Sequence, residues 1–198
     1  MPRSKEQYEQ MRFATNNKII TAGLELFSQK GLGATGIQEI ATLAGVSTGL
    51  MYRHYKTKED LFSVLVETAV VGMNDIEEIL KSEDSPSVVL KQLANTLLDE
   101  LKRNNQTAQY LVLITHSLLS GEISPQLLEQ YDMALFDQMT RLIKRGQSNG
   151  ELRVGDPYQM TLLFFSTLHG LAMMKLSLKD KFICPSPEMV LAYLIIEE

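Results

Sequence analysis

Apolar residues recur at helical spacing along almost the whole chain, and they hardly ever alternate with polar ones as a half-buried strand requires. Ile19, Ile20, Leu24 and Phe27 mark one face of a helix over 9–30, with Gly31 placed to cap its end. A short helix over 37–44 carries Ile37, Ile40, Ala41 and Ala44 and stops at Gly45. Ser47 is placed to cap a third, over 48–54. Thr57 opens a fourth, which carries Leu61, Phe62, Leu65, Val66 and Ala69 as far as about Leu80. Its start, Thr57-Lys58-Glu59-Asp60, is a capping box whose acid is shorter than the usual glutamate. Further on, Ser85-Pro86, Ser124-Pro125, Asp156-Pro157 and Ser186-Pro187 each set a capping side chain before a proline at the first helical position. These starts give helices over 86–103, 125–148, 157–179 and 187–197, with another over 107–119. The pattern predicts an all-α protein.

The 198 residues, 44% of them hydrophobic, are enough for a globular core. A single cysteine, Cys184, excludes an intrachain disulfide framework and a cysteine-rich zinc site. The N-terminal residues lead into no apolar run of the secretory kind, so secretion is not expected. The segments 104–121 and 157–174 carry no charge, but polar residues interrupt both. They read as buried core helices rather than membrane spans, and the expected protein is soluble, cytoplasmic and free of the membrane.

Charge adds an asymmetry. The net charge is −5, yet residues 1–58 hold eight basic and four acidic side chains, while the remainder holds 11 basic and 20 acidic. A head of +4 on a body of −9 suits a protein that meets a polyanion with one end.

Enzymatic chemistry has no visible foothold. Gly31-Leu32-Gly33-Ala34-Thr35-Gly36 matches the dinucleotide fingerprint in letters, but a helix precedes it where a strand is needed. It reads as a glycine-rich turn. His54, His116 and His169 are isolated, and no metalloprotease, nucleophile-elbow or phosphate-loop motif occurs. No enzyme activity, metal or cofactor is expected.

Residues 35–60 carry the strongest signal. A helix, a turn containing Gly45 and a second helix form the helix-turn-helix layout, whose second helix enters the DNA major groove. Ile37, Ile40, Ala41, Val46, Leu50, Met51 and Tyr55 fall where a three-helix core needs them. Thr48, Gly49, Tyr52 and Arg53 fall towards the outer face, with His54 and Lys58 close behind. Hydroxyl, imidazole and ammonium groups suit phosphates, and an arginine suits guanine. Taken singly, Tyr52 reads better as a core aromatic, and Lys56 and Lys58 as solvated surface charges. Joined to the cationic head, the set favours DNA.

Residues 9–66 resemble the N-terminal domain of the TetR family of transcriptional regulators. The likeness lies in Gly31-Leu32-Gly33-Ala34-Thr35, Ile40-Ala41, Gly45-Val46-Ser47-Thr48-Gly49 and the run from Tyr52 to Leu61. The resemblance implies that Tyr52, His54 and Lys58 hold phosphates, that Thr35 meets the backbone, and that Thr48, Gly49 and Arg53 face bases. With Ser47 at the helix start, these residues are the expected DNA contacts. The expected partner is a palindromic double-stranded operator.

Later segments carry the resemblance more weakly, through Gly146, Gly150-Glu151-Leu152, Asp156-Pro157 and His169-Gly170-Leu171. In the family the last two long helices pair across a two-fold axis. Independently, residues 160–174 are apolar nearly all round, so a core on one side and a second subunit on the other would cover them. Phe164, Leu168 and Leu171 are the expected interface of a homodimer. A central helix of a monomeric bundle would show the same pattern. The family likeness also implies a small-molecule pocket, and Tyr110, Thr115, His116, Tyr131, Met139 and Phe165 are its expected lining. The ligand would be a mostly apolar inducer.

The sequence thus reads as a helix-turn-helix domain, 1–58, followed by a ligand-binding and dimerisation domain, 59–198. The function expected is that of a ligand-responsive repressor. The competing reading is a helical small-molecule carrier, or a protein-interaction module, whose helix-turn-helix has a changed role.

Overall fold

The computed structural model describes residues 4–122 and 125–196, and the side chains of all of these but 125–133. Its helices are α1 (Lys5–Lys30), α2 (Ile37–Leu43), α3 (Thr48–His54), α4 (Lys58–Leu80), α5 (Pro86–Arg103), α6 (Gln106–Ser120), α7 (Pro125–Ser148), α8 (Pro157–Leu178) and α9 (Pro187–Leu191). Among the described residues there is no strand, only an isolated antiparallel bridge between Leu152 and Ile195. The all-α expectation holds. The chain forms two compact units, Met1–Thr68 and Ala69–Glu198, and the division falls within α4, beyond the 58/59 boundary read from sequence.

In the first unit α1 begins with a reciprocal capping box: Gln7 N–H donates to Ser4 Oγ, and Ser4 N–H donates to Gln7 Oε1. Its end is closed by Gly31, whose N–H donates to the Phe27 carbonyl at 2.9 Å. Ile19, Leu24, Phe27, Ile40, Met51, Leu61 and Leu65 are buried almost completely. Phe27 meets Phe62 edge to face, with centroids 5.4 Å apart. A Cβ on Gly23 would stand 2.6 Å from a Leu61 methyl, so glycine is what lets α1 and α4 approach. The Thr57 capping box forms: Asp60 N–H donates to Thr57 Oγ1 and Thr57 N–H to Asp60 Oδ2, each at 3.0 Å.

The second unit has a core of leucine, valine and isoleucine from α5 to α9, joined by Phe164, Leu168 and Ala172 of α8. Asp156 and Ser186 cap α8 and α9 as expected. Ser85 does not cap α5; its hydroxyl pairs with Ser87 Oγ instead, and the N1 proline alone marks that start. Ser124 lies outside the described residues. The helix expected over 187–197 ends at Leu191. There the chain turns, Ile195 pairs with Leu152, and the Arg153 guanidinium donates to the carbonyls of Ala192 and Ile195. These tertiary bonds to 152–153 outcompete continued helix in a segment whose apolar pattern permits either.

Candidate functional site

In the first unit, α2 and α3 are joined by a turn that only glycine fits comfortably. Gly45 has φ +65°, and around it Val46 N–H returns to the Ala41 carbonyl at 2.9 Å. Ala41 and Met51 are buried on facing sides of that turn, which holds the two helices together. Ser47 Oγ accepts from Leu50 N–H and so starts α3. Met51 faces the core, leaving Gly49, Tyr52 and Arg53 exposed and Thr48 and His54 half-buried. Tyr52 is 51% exposed and is therefore no core aromatic. Tyr55, buried at the end of α3, donates its hydroxyl to Asn16 Oδ1 at 2.9 Å and ties the helix to α1.

Two residues expected on the DNA side are committed inward. Thr35 is 2% exposed, and its hydroxyl donates to the Gly31 carbonyl at 2.7 Å. Its side chain is thus withdrawn from any DNA surface: a threonine following a glycine-rich turn satisfies the turn's own carbonyl first. Lys58 is half-buried, and its ammonium donates to the carbonyls of Leu32 (2.7 Å) and Thr35 (3.0 Å). It therefore braces the 31–36 turn and retains one N–H for another acceptor. Partial burial, and secondarily the charge of Arg12, push His54 below the usual histidine value, so at neutral pH it offers a neutral ring.

In the second unit a cavity of about 60 Å³ lies among α4, α5, α6, α7 and α8. Its walls are Met73 and Ile76, Leu97 and Leu101, Thr107, Leu111 and Ile114, Leu135, and Phe165, Leu168 and His169. Of the expected lining, Phe165 alone is there among the described residues. Thr115 gives its hydroxyl to the Leu111 carbonyl, His116 is exposed, and Met139 is fully buried in the core. Tyr110 is half-buried on α6 outside the wall, and Tyr131 lies outside the residues whose side chains are described. Polar residues beside an apolar face are a poor guide here, because on α6 their hydroxyls return to the helix's own backbone. The wall consists mainly of residues that read as plain core. The signal that could have found it is His169, a polar ring inside the uncharged run 157–174.

Helix α8 presents two apolar faces. Phe164, Leu168 and Ala172 are buried in the unit's own core, and Leu171 is half-buried. These are not the free surface expected of an interface. The exposed face carries Leu162 and Leu163 (50% and 49% exposed), Ser166, Gly170, and Met173 and Met174 (56% and 48%). A helix without a polar side gives no phase from sequence, and the residues expected at the interface lie on the inner face. By length and composition α8 is also apolar enough to cross a membrane. Among the described residues no group of histidine, cysteine and acidic side chains is placed to hold a metal ion.

Comparison with known proteins gives matches at both levels. Residues 19–65 match the family model described as bacterial regulatory proteins, tetR family. The HTH-type transcriptional regulator AcrR of Shigella flexneri is 30% identical over 135 residues, covering 66% of this chain and 63% of AcrR. The chain thus spans just under two thirds of that relative. The HTH-type transcriptional regulator TtgR of Pseudomonas putida is 25% identical over 187 residues, 90% of this chain and 86% of TtgR. Among solved structures, the MbdR regulator from Azoarcus sp. CIB has the same fold, with a TM-score of 0.74 at 21% identity over 92% of this chain and 100% of MbdR.

Proposed function

We propose that this chain, whose residues 19–65 match the tetR family model, is a TetR-family transcriptional regulator and not an enzyme, acting as a dimeric operator-binding repressor. It acts in the cytoplasm and is released by a small apolar molecule. The observation that carries the DNA reading is α3 itself: Tyr52 and Arg53 stand exposed on a helix held by Gly45 and Met51, in a segment of net charge +4. Arg53 reads a base, Tyr52 and His54 hold phosphates, and Ser47, Thr48 and Gly49 bring the start of α3 against the groove. Lys58 supports the 31–36 turn and gives its remaining N–H to a phosphate.

Two copies pair through the exposed face of α8, where Ser166 and Gly170 let helices approach between the leucine and methionine pairs. One recognition helix reads few base pairs, so two-fold pairing on a palindromic operator doubles the contact. The ligand enters the second unit's cavity. Its wall includes Met73 and Ile76 of α4, the helix that also supplies Leu61 and Leu65 to the first unit's core. A ligand that moves α4 therefore changes operator fit, and linkage requires the operator complex to bind that ligand correspondingly less tightly.

The test is the affinity of the purified protein for DNA upstream of its own gene at two salt concentrations, with and without compounds that raise its melting temperature. Specific, salt-dependent binding that a stabilising apolar compound weakens is the expected result. Stabilising compounds that leave operator affinity untouched would limit the second unit to dimerisation. Absence of DNA binding would return the carrier reading.

A further inference from the structure

His169 gives the cavity a defined chemical preference. Its Nδ1 lies 2.8 Å from the Phe165 carbonyl oxygen one turn earlier. A carbonyl can only accept, so Nδ1 carries the hydrogen, and in the neutral ring Nε2 is left with a lone pair. Among the described residues no donor reaches that nitrogen. A second acceptor stands nearby in the fold. Gln138 donates its amide to Glu77 Oε1 at 3.0 Å, which fixes the amide's orientation because a carboxylate cannot donate. Gln138 Oε1 is then buried without a partner. Leu135, one turn away on α7, and Ile76, next to Glu77 on α4, are both cavity residues.

The rest of the wall sets the remaining terms. Among the described residues Thr107 is its one other polar residue, and no charged side chain lines it. A carboxylate or ammonium group on the ligand would lose water and gain no counter-charge. The Phe165 ring stacks against Phe136, with centroids 5.9 Å apart and planes 25° apart. It offers an aromatic ligand a fixed wall.

We propose that this cavity takes a neutral aromatic ligand bearing a hydroxyl, a phenol in chemical class, whose O–H donates to His169 Nε2. The proposal rests on the ligand-responsive reading above and specifies its ligand. The cavity of about 60 Å³ is smaller than such a ring system requires, so binding parts the walls.

The experiment uses the full chain and three probes of similar shape: 2-naphthol, its methyl ether and naphthalene. Dissociation constants are measured by calorimetry for the wild type and for His169→Phe and Thr107→Val. The expected result is that 2-naphthol binds about tenfold or more tightly than its ether. That preference should survive in Thr107→Val and vanish in His169→Phe, with naphthalene affinity little changed. With histidine labelled by 15N, the unprotonated ring nitrogen of His169 should shift with 2-naphthol and stay in place with the ether. The labelled measurement needs no variant, so it decides the matter even if His169→Phe does not fold. Equal affinities for the three probes, a preference that survives the loss of His169, an unmoved nitrogen resonance, or no binding of 2-naphthol would overturn the proposal. None of these outcomes touches the operator measurement, which separately decides whether the protein answers to any ligand.

Discussion

The two units spend their polar groups differently. In the first, the polar side chains that leave solvent close on neighbouring backbone or on each other: Thr35 on Gly31, Lys58 on Leu32 and Thr35, Tyr55 on Asn16. In the second, Gln138 keeps a buried, unpartnered oxygen, and Lys175 is buried with its ammonium on the Leu101 carbonyl, near the end of α5, where helix dipole and cation agree. A reader of DNA needs one shape, and complete satisfaction fixes it. A sensor needs interior groups that still gain from a newcomer.

The largest expected effect separates the two faces of α8. Leu168→Glu, which buries an unpaired charge, should unfold the second unit, with a loss of more than about 3 kcal/mol in a denaturant titration. Leu163→Glu should leave the protomer folded yet sediment as a monomer, and it should lose palindrome binding by well over tenfold. If both variants behave alike, the distinction between faces fails.

Smaller effects belong to the first unit. Arg53→Ala should cost about 1–3 kcal/mol on the preferred operator and relax selection at one base position in each half-site, read from a binding-site library. Lys58→Ala should destabilise the unit by about 1–3 kcal/mol, since it removes the ammonium's bonds to the Leu32 and Thr35 carbonyls. It should also lower the salt slope of DNA binding by roughly one. Lys58→Arg should recover the slope more fully than the stability, because a planar fork does not reproduce the ammonium's reach into the turn.

The smallest effect is a pH dependence. His54 is held below its ordinary 6.5, so it gains its proton only as pH falls beneath that value. A cation beside phosphate strengthens binding, so operator affinity should rise as pH is lowered through that region. His54→Asn should flatten the rise. The same protonation costs the free domain stability on the acid side, because a depressed histidine is charged less readily folded than unfolded.

How much of this was legible depends on how local the physics is. The caps at Ser47, Thr57, Asp156 and Ser186 and the Gly45 turn were readable because each is decided within four residues. The exposure of Tyr52 and Arg53 followed from the phase of α3, which the apolar residues Leu50 and Met51 set. The phase of α8 could not be read, since every side of its middle is apolar. The inward bonds of Thr35 and Lys58 could not be read because what they bond is backbone, which leaves no trace in residue type. The end of α9 at Leu191 was fixed by Leu152 and Arg153, about 40 residues away in sequence. Locating the cavity required knowing which leucines fail to touch, and His169 was the one letter that pointed to it.

That gap also has a mechanical consequence. The space among α4 to α8 is volume that unfolding or flooding would recover. Hydrostatic pressure should therefore loosen the second unit by forcing water into that space. A ligand that fills the void removes that volume, so the loaded unit should yield at a higher pressure than the empty one.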